Sequence, residues 1–274
     1  MPELPEVETI VKNLQVIKNH KIIKVKILRE SSIAYPDCNQ FSQGLKAKYI
    51  AQIKRRGKFI LIYLEDEAIL VIHLRMSGRL IYDTVKNEAK FLRVSLQLDN
   101  KAYLDFIDTR ALGKQWYFVS QAQMLEKLTT IAQMGYEPLE YFDKKVVVNK
   151  IQASARSIKA ILLDQSIVCG IGNIYADEIL HLAKINPIAK GVDLSQRQII
   201  QMLEITKQVL SKAIQHGGTS FRDYTNSFGV NGNYQNYAYV YGRKNEKCRI
   251  CNALIIKIAL AGRGTHFCPK CQKL

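Results

Sequence analysis

Four cysteines near the end of the chain constrain its fold more than any other feature. They have the spacing Cys248-x2-Cys251-x16-Cys268-x2-Cys271. Each Cys-x2-Cys pair fits a tight turn that presents two thiolates, and two such turns can surround one tetrahedral ion. An iron–sulfur cluster and disulfides are the alternatives, the latter being uncommon in a chain that shows no secretory signal. We predict one structural Zn²⁺ ion per chain, with no open position for catalysis.

The chain is strongly basic, which indicates a polyanionic partner. The net charge is +16 over 274 residues, and both residues 1–134 and residues 135–274 carry an excess of Lys and Arg. This distribution fits nucleic acid held between two lobes better than it fits one basic tail. Residues 242–274 contain eight basic residues and one acid, so the cysteine-rich ribbon is a candidate phosphate-binding hairpin. Charge alone also fits ribosome association or a solvated surface.

Length and hydropathy predict a globular protein with two domains, since 47% of the residues are hydrophobic. No run of about 18 apolar residues and no signal peptide is present, which favours an intracellular protein without a membrane span.

The first half alternates apolar and polar residues as strands do. Period-two runs cover 23–27, 60–64 and 92–98, and Asp99-Asn100 resembles a hairpin turn. We predict strands from Lys21 to about Ser120, forming a β-sandwich or barrel-like lobe that ends near Gly135.

The second half begins with helical periodicity. Helices are predicted over 158–165 and 173–183, and Ser195 with Gln198 forms an S-x-x-Q capping box before a third. Gly217-Gly218 supplies left-handed conformations that end the third helix. The aperiodic segment that follows is long enough to be a functional loop.

The first eight residues allow two interpretations. Pro5 fits the first turn of a helix, and a helix start alone would explain the segment. If Met1 is removed, however, the secondary amine of Pro2 lies beside the carboxylate of Glu3. An α-amino group titrates near about 8 against about 10.4 for lysine, so roughly a hundredfold more of it is neutral at pH 7. Such an amine suits iminium chemistry on a sugar carbon.

Five motifs, in this order, decide between the two interpretations. They are Pro2-Glu3-Leu4-Pro5-Glu6-Val7-Glu8; Arg56-Gly57-Lys58; His73-Leu74-Arg75-Met76-Ser77-Gly78; Gly170-Ile171-Gly172-Asn173-Ile174-Tyr175-Ala176-Asp177-Glu178; and Gly262-Arg263-Gly264-Thr265-His266-Phe267-Cys268-Pro269. With them the chain resembles formamidopyrimidine-DNA glycosylase over nearly its whole length. These bacterial repair enzymes excise 8-oxoguanine and ring-opened purines.

The resemblance implies a multidomain α+β fold. Its parts are a β-sandwich catalytic lobe with an N-terminal helix over 2–134, a linker over 135–150, a helix-two-turn-helix domain with a lesion-recognition loop over 151–241, and a zinc-ribbon β-hairpin over 242–274. The implied partner is double-stranded DNA that contains oxidised purines or abasic sites. We expect a monomer without membrane contact, in the bacterial cytoplasm and associated with the nucleoid through DNA.

The resemblance also implies the chemistry. Pro2 is expected to attack C1′ of the damaged nucleotide while Glu3 protonates the ring oxygen. Elimination of the 3′ and then the 5′ phosphate follows. Lys58 is expected to contact phosphates near the lesion and to assist elimination, although its position alone would suggest a surface lysine. Arg263 is expected to clamp the phosphate beside the flipped nucleotide.

Three further residues are implied as DNA contacts. His73 is expected to contact a phosphate, whereas its apolar surroundings alone would suggest a structural histidine. Asn173 follows a glycine loop at a helix start, where free amides form an anion site, although Gly170 and Gly172 also suit a sharp turn. Tyr241 is a weaker candidate for a backbone contact.

The base to be excised must leave the helical stack, which opens a void in the duplex. The family fills it with methionine, arginine and phenylalanine. Met76 and Arg110 match the first two, and Arg110 is expected to face the orphaned cytosine. Leu112 stands at the third position, where it can still wedge between bases but lacks an aromatic stacking surface. We expect altered lesion search with intact chemistry, although plain core packing would also explain Met76 and Leu112.

The family's lesion loop, which closes over the extruded base, corresponds to Gly217–Tyr224. Thr219, Ser220 and Tyr224 are its candidate contacts. Cys169 stands where the family has a small residue such as alanine, and we expect only a packing consequence. Cys169 and Cys38 lack partners at ligand spacing and are expected to be small buried hydrophobes.

Two alternatives remain open. Glycosylases resembling endonuclease VIII share the architecture but prefer oxidised pyrimidines, and they usually begin Pro-Glu-Gly-Pro-Glu. Leu4 and the segment from Arg110 to Leu112 favour the purine-directed group. A non-catalytic zinc-ribbon DNA-binding protein would explain the charge and the cysteines, but it would leave Pro2 and Glu3 without a purpose.

Overall fold

The computed structural model describes residues 1–86, 89–220 and 224–274. These residues form two compact units. The first unit comprises Met1–Gln133 with His216–Asn233, and the second comprises Met134–Gln215 with Tyr234–Leu274. The finer limits at 134, 150 and 241 stay a prediction.

The first unit contains two β-sheets and an N-terminal helix. Helix α1 covers Leu4–Asn13. The strands that the structure describes here are β1 (Ile22–Ile27), β2 (Ile33–Tyr35), β3 (Ile50–Arg56), β4 (Phe59–Leu64), β5 (Ile69–His73), β6 (Gly78–Asp83), β7 (Leu92–Leu98), β8 (Tyr103–Asp108) and β9 (Lys114–Phe118). Their order is β1-β7-β8-β6 in one sheet and β2-β9-β5-β4-β3 in the other. Every pair is antiparallel except β2–β9.

The core of the first unit lies between the sheets, and α1 contributes to it. Alternate residues of β7 and β8 point inward, as period-two patterning requires. The predicted β-sandwich with an N-terminal helix is therefore confirmed. The predicted hairpin is confirmed as well, since β7 ends at Leu98 and β8 begins at Tyr103.

The region predicted as strands also contains a helix, α2, which covers Cys38–Leu45. The carboxylate of Asp37 caps it by accepting hydrogen bonds from two backbone amides. Phe41 and Leu45, four residues apart, bury one face. Cys38 opens this helix and is only partly buried, so the prediction of a buried Cys38 was wrong. Two short helices, α3 (Gln121–Lys127) and α4 (Thr129–Ala132), close the first segment.

The second unit is helical before the cysteine-rich ribbon. Its helices are α5 (Lys144–Gln152), α6 (Ile158–Leu162), α7 (Asn173–Leu182) and α8 (Gln196–Gln215), and its ribbon contains β10 (Ile256–Leu260) and β11 (Arg263–Phe267). The predicted capping box is present, because Ser195 N donates to Gln198 Oε1 at 2.9 Å and Gln198 N donates to Ser195 Oγ at 3.3 Å. Helix α5 begins inside the segment predicted as a linker. In the described part of the chain, no helix is both long and apolar enough to cross a membrane.

Candidate functional site

Pro2 and Glu3 lie buried at the start of α1. Glu3 is 3% exposed, and its backbone amide donates to Glu6 Oε2 at 2.7 Å. Pro5 occupies the first helical turn, where its missing N–H costs no hydrogen bond. Met1, by contrast, is 44% exposed. The sequence therefore places the carboxyl group of Glu3 next to Pro2, and the fold removes both residues from bulk water.

Lys58 lies in the turn between β3 and β4, where Gly57 has a φ of +55°. Its exposure is only 7%, so it is not the surface lysine that its position in the sequence suggests. Arg55 fixes this turn to α1: its Nε lies 2.8 Å from Glu8 Oε2, and its guanidinium also donates to Gly57 O at 3.2 Å. The helix that Glu3 caps thus also anchors the turn of Lys58.

His73 ends β5 and is buried, with its ring edge-on to Phe59 at 4.5 Å between centroids. The amide of Arg75 donates to His73 Nδ1 at 3.1 Å, which assigns the proton of the neutral ring to Nε2. Burial, followed by the charges of Arg75 and Lys58, lowers the pKa of His73 to about 3. The side chain is thus a neutral donor at physiological pH, which suits a phosphate contact without an additional charge.

Met76, Arg110 and Leu112 all lie on the surface of the first unit. Met76 and Leu112 are each 43% exposed, which excludes core packing as the reason for these apolar residues. They lie in two turns, between β5 and β6 and between β8 and β9. The strands at both ends of these turns are paired. At one end Gly78 of β6 faces Asp108 of β8, and at the other end His73 of β5 faces Lys114 of β9.

The described ends of the predicted lesion loop are held by α1. The amide of Thr219 donates to Glu6 Oε1 at 2.7 Å. The hydroxyl of Ser220 donates to Tyr224 O at 2.8 Å and accepts from the amide of Gly232. Residues 221–223 of the predicted loop lie outside the described residues.

Tyr224 is 8% exposed, and its hydroxyl donates to Gly217 O at 3.1 Å. Its ring belongs to the sandwich core, and burial raises its pKa far above the ordinary value. Tyr224 therefore anchors the loop, and a contact of its hydroxyl with a base would require this side chain to leave the core. Sequence reasoning missed the other anchor, Glu6, although the pattern Glu3-x-x-Glu6 has the spacing of a capping box.

In the second unit, Asn173 and the ribbon hairpin lie together. Asn173 opens α7 after Gly172, and its Nδ2 donates to Gly264 O at 2.9 Å. Arg263, the preceding residue, is exposed at the hairpin end. The hairpin turn has φ of +48° at Ala261 and +71° at Gly262, two positive values as in a type I′ turn.

A buried ion pair supports this hairpin, and sequence reasoning missed it. Lys159 Nζ lies 2.6 Å from Asp177 Oδ1, and both side chains are at most 1% exposed. Lys159 also donates to Thr265 Oγ1 at 2.8 Å, and Asp177 accepts from the amide of His266 at 2.8 Å. The available signal was a charged residue at a position of apolar periodicity, since charges are rarely buried unless paired.

Glu178, which follows Asp177 in α7, fixes the position of Tyr241. The buried carboxylate of Glu178 accepts hydrogen bonds from the amides of Tyr239, Val240 and Tyr241 at 2.7–2.9 Å. Burial raises the pKa of Glu178. The ring of Tyr241 stacks edge-to-face on His266 at 5.0 Å, so Tyr241 lies beside the same hairpin.

The four cysteines converge as their spacing predicts. Their sulfur atoms all lie within 4.8 Å of one another, with 3.9 Å between Cys248 and Cys271 and 3.4 Å between Cys251 and Cys268. A tetrahedron with Zn–S bonds of about 2.3 Å has S–S edges of about 3.8 Å. Amides of Ile250 and Cys271 approach two of the sulfurs at 3.4 Å, as is favourable for thiolates. The donor set fits one structural zinc ion.

Cys169 is fully buried as predicted, but packing is not its sole role. Its thiol donates to Glu137 Oε1 at 3.1 Å. The expectation of only a packing consequence was therefore wrong, since alanine could not make this hydrogen bond.

Three family models match consecutive parts of the chain. They are the formamidopyrimidine-DNA glycosylase N-terminal domain over residues 1–115, its H2TH domain over 134–225, and a zinc finger found in FPG and IleRS over 245–274. A formamidopyrimidine-DNA glycosylase of Thermosynechococcus vestitus is 41% identical, over 100% of this chain and 98% of that protein. The chain belongs to the formamidopyrimidine-DNA glycosylase family. A relative from Pelotomaculum thermopropionicum is 38% identical over the full length of both chains.

Solved structures of this family have the same fold. A Lactococcus lactis FPG variant in complex with Fapy-dG-containing DNA superimposes with a TM-score of 0.92, at 37% identity and full coverage of both chains. A second L. lactis complex, with abasic-site DNA, has a TM-score of 0.91 at 36% identity, over 99% of this chain and 100% of the other. The α+β fold with a helical H2TH region and a zinc ribbon, predicted from the sequence, is thus confirmed.

Proposed function

We propose that this member of the formamidopyrimidine-DNA glycosylase family is a base-excision repair enzyme that removes oxidised purines from duplex DNA and then cuts the strand. The observation that carries the proposal is the start of α1, where Pro2 and Glu3 are buried together and the turn of Lys58 is anchored to the same helix. A DNA-binding protein without catalytic activity would not need a buried acid beside its terminal amine.

The reaction begins after removal of Met1. The Pro2 nitrogen attacks C1′, and the damaged base leaves with the electron pair of the glycosidic bond and takes up the N–H proton of the amine. The Glu3 carboxyl group gives its proton to the sugar ring oxygen, the bond between C1′ and that oxygen breaks with its electron pair going to the oxygen, and the nitrogen lone pair forms the iminium. The resulting iminium makes the C2′ proton acidic. Loss of that proton expels the 3′ phosphate, and a second elimination expels the 5′ phosphate. Lys58 stabilises the phosphate charge that develops at these steps. Hydrolysis of the iminium regenerates the amine.

DNA contacts from the two units complete the assignment. In the first unit, neutral His73 offers its Nε2–H to a phosphate, and Met76, Arg110 and Leu112 fill the void that the flipped nucleotide leaves. In the second unit, Arg263 and the N-terminus of α7 at Asn173 bind phosphates, with Tyr241 beside them. The four cysteines would hold one zinc ion, which would keep the hairpin of Arg263 folded and, with all its ligand positions filled by thiolates, would supply no chemistry to the substrate.

Oxidised purines are the favoured substrates because relatives over the full length are formamidopyrimidine-DNA glycosylases. The third residue of the mature chain, Leu4, points the same way. One L. lactis FPG complex, at 37% identity to this chain and a TM-score of 0.91, contains oxidised-pyrimidine DNA. The test of the proposal therefore includes an oxidised pyrimidine as the second substrate. A chromosomal substrate supports a location in the bacterial cytoplasm, at the nucleoid, which we propose for this enzyme.

The test compares two duplexes, one with 8-oxoguanine and one with thymine glycol, for excision by zinc-loaded protein. Faster excision of 8-oxoguanine, lost in Pro2→Gly, is expected. Faster excision of thymine glycol would favour a specificity like that of endonuclease VIII. Binding without excision of either base would overturn the assignment as an enzyme.

A further inference from the structure

Two surface turns of the first unit run side by side from one sheet to the other. The first turn connects β5 to β6 and carries Met76, and the second connects β8 to β9 and carries Arg110 and Leu112. The residues that follow and precede these turns, Gly78 and Asp108, are direct partners in the ladder of β6 and β8. The fold therefore brings the three proposed void-filling side chains to one edge of the sandwich.

A single buried carboxylate joins the two turns. Asp108 ends β8 and is 0% exposed. Its Oδ1 accepts from the hydroxyl of Ser77 at 2.5 Å and from the amide of Arg110 at 3.1 Å, and its Oδ2 accepts from the amide of Gly113 at 2.7 Å. The same amide of Arg110 also donates a longer hydrogen bond, at 3.2 Å, to Ser77 Oγ. Asp108 thus holds the backbone on both sides of Leu112 and links it to the residue after Met76.

These hydrogen bonds support backbone conformations that the turns would not favour alone. Ala111, between Arg110 and Leu112, has a φ of +53°, and Arg75, beside Met76, has a φ of +54°. Left-handed conformations are unfavourable for residues with a Cβ, and they persist where surrounding contacts determine them. Gly113 also packs so closely on the ring of Phe106 that a Cβ would collide with it. The turns are therefore held in one shape, although Met76 and Leu112 remain exposed.

We propose that Ser77 and Asp108 are positioning residues that hold Met76, Arg110 and Leu112 in the arrangement that enters the duplex. This inference rests on the proposed function, since it requires an enzyme that opens a duplex. A wedge whose backbone is already fixed loses little conformational freedom on insertion, so the binding energy is available for unstacking the bases. Neither residue touches the reacting sugar in this account.

Asp108→Asn and Ser77→Ala test the inference. Both carboxylate oxygens of Asp108 accept hydrogen bonds from donor groups. Asp108→Asn replaces one of these oxygens with an NH₂ group, so at least one hydrogen bond becomes a contact between two donors. Ser77→Ala removes the hydroxyl alone and is the milder change. Matched controls are Asp105→Asn, a buried carboxylate on the same strand, and Ser32→Ala, a fully buried hydroxyl without a hydrogen-bond partner among the described residues.

Two substrates distinguish a loss of wedge positioning from a general loss of protein stability. One is a duplex with 8-oxoguanine and a neighbouring 2-aminopurine, whose fluorescence rises when the wedge unstacks it. The other is a single strand with an abasic site, which has no void to fill. We expect Asp108→Asn to slow unstacking and duplex excision at least tenfold and Ser77→Ala several-fold. Cleavage of the single strand should stay within twofold of the wild-type rate, and both controls should match the wild type throughout.

Equal losses on both substrates would assign Asp108 and Ser77 to the stability of the fold, and unchanged unstacking would show that the wedge does not depend on them. Either result would overturn the inference. If the wild-type chain itself neither excises the base nor cleaves the abasic strand, the proposed function fails, and that outcome is visible before any variant is compared.

Discussion

Glu6 accepts a hydrogen bond at 2.7 Å from the backbone amide of Thr219, which lies 213 residues further along the chain. The other carboxylate oxygen of Glu6 accepts from the amide of Glu3 at 2.7 Å. One buried side chain therefore joins the start of the proposed lesion loop to the proposed proton donor. Gly218 allows this contact, since a Cβ at this position would lie 2.8 Å from Glu6 Oε1 and its φ is +81°.

Glu6→Gln is expected to destabilise the first unit and to slow base excision. Each carboxylate oxygen of Glu6 now accepts from one backbone amide, whereas glutamine has only one side-chain oxygen. One buried N–H therefore loses its partner, at a cost of about 1–3 kcal/mol. Excision should slow at least tenfold, because Glu3 and the loop shift together. Denaturant unfolding and single-turnover excision measure the two effects. Glu126→Gln, whose carboxylate is exposed, should change stability by less than about 0.5 kcal/mol. A Glu6→Gln enzyme with wild-type rates would contradict this role.

His73 is expected to stay neutral from pH 8 down to about pH 4. Its folded pKa of about 3 lies below the unfolded value near 6.5. Below pH 6.5 the unfolded chain therefore binds a proton that the folded chain does not. The contribution of His73 to the free energy of unfolding is therefore fully present above pH 6.5 and is lost as the pH falls toward 3. NMR of the ring protons should show no titration of His73 between pH 5 and 8.

His73→Asn can keep the hydrogen bond to Arg75 and lose the Nε2 donor. This variant should show a weaker decline in stability below pH 6.5, and its affinity for DNA should fall about threefold to tenfold, as for one hydrogen bond. A His73 ring that titrates near pH 6.5 would disprove the assignment of a neutral donor.

Leu112→Phe is expected to make lesion search more efficient. A phenyl ring restores a stacking surface that is worth about 1–3 kcal/mol per base in single-strand systems. Duplex unstacking should become faster while the chemical step is unchanged, and Leu112→Ala should act in the opposite direction. Stopped-flow fluorescence and single-turnover excision check this. Unchanged excision rate and lesion discrimination in Leu112→Phe would refute the proposed role.

Removal of zinc is expected to abolish DNA binding and to leave the first unit folded. The ribbon is held by four thiolates and by hydrogen bonds with residues of α6 and α7. Without metal we expect the thiolates to separate and the ribbon to unfold. Trp116, the only tryptophan, lies in β9 of the first unit and reports on that unit separately. Cys268→Ser should behave as the chelated protein, whereas Cys38→Ser should bind DNA normally. Full DNA binding by the apo protein would contradict the role of the ribbon.

The sequence predicts what local patterns encode. Cysteine spacing predicts the ribbon, period-two runs predict β1, β4 and β7, and Ser195 with Gln198 predicts the start of α8. The contacts that position the site join residues far apart in the chain: 31 residues for Ser77 and Asp108, and 106 for Lys159 and Thr265. No local pattern reveals such pairs, because they depend on which turns the sheets bring together.

Tyr224 shows the same limit in another way. Its place in the proposed loop suggests a contact with the base, yet its ring packs into the sandwich core and its hydroxyl donates to backbone oxygens. An aromatic ring gains more from burial than from exposure in a loop. Which loop residue turns inward depends on the space beneath the loop, and the sequence does not contain that information in local form.

The most direct test of the central claim identifies the atom that becomes attached to DNA. The protein without Met1 is incubated with 8-oxoguanine duplex and borohydride, and the trapped peptide is analysed by mass spectrometry. We predict that the reduced sugar is bonded to the nitrogen of Pro2, and that a chain retaining Met1 binds the duplex without forming an adduct or a cut. An adduct on a lysine, or an equally efficient adduct with Met1 in place, would contradict the account.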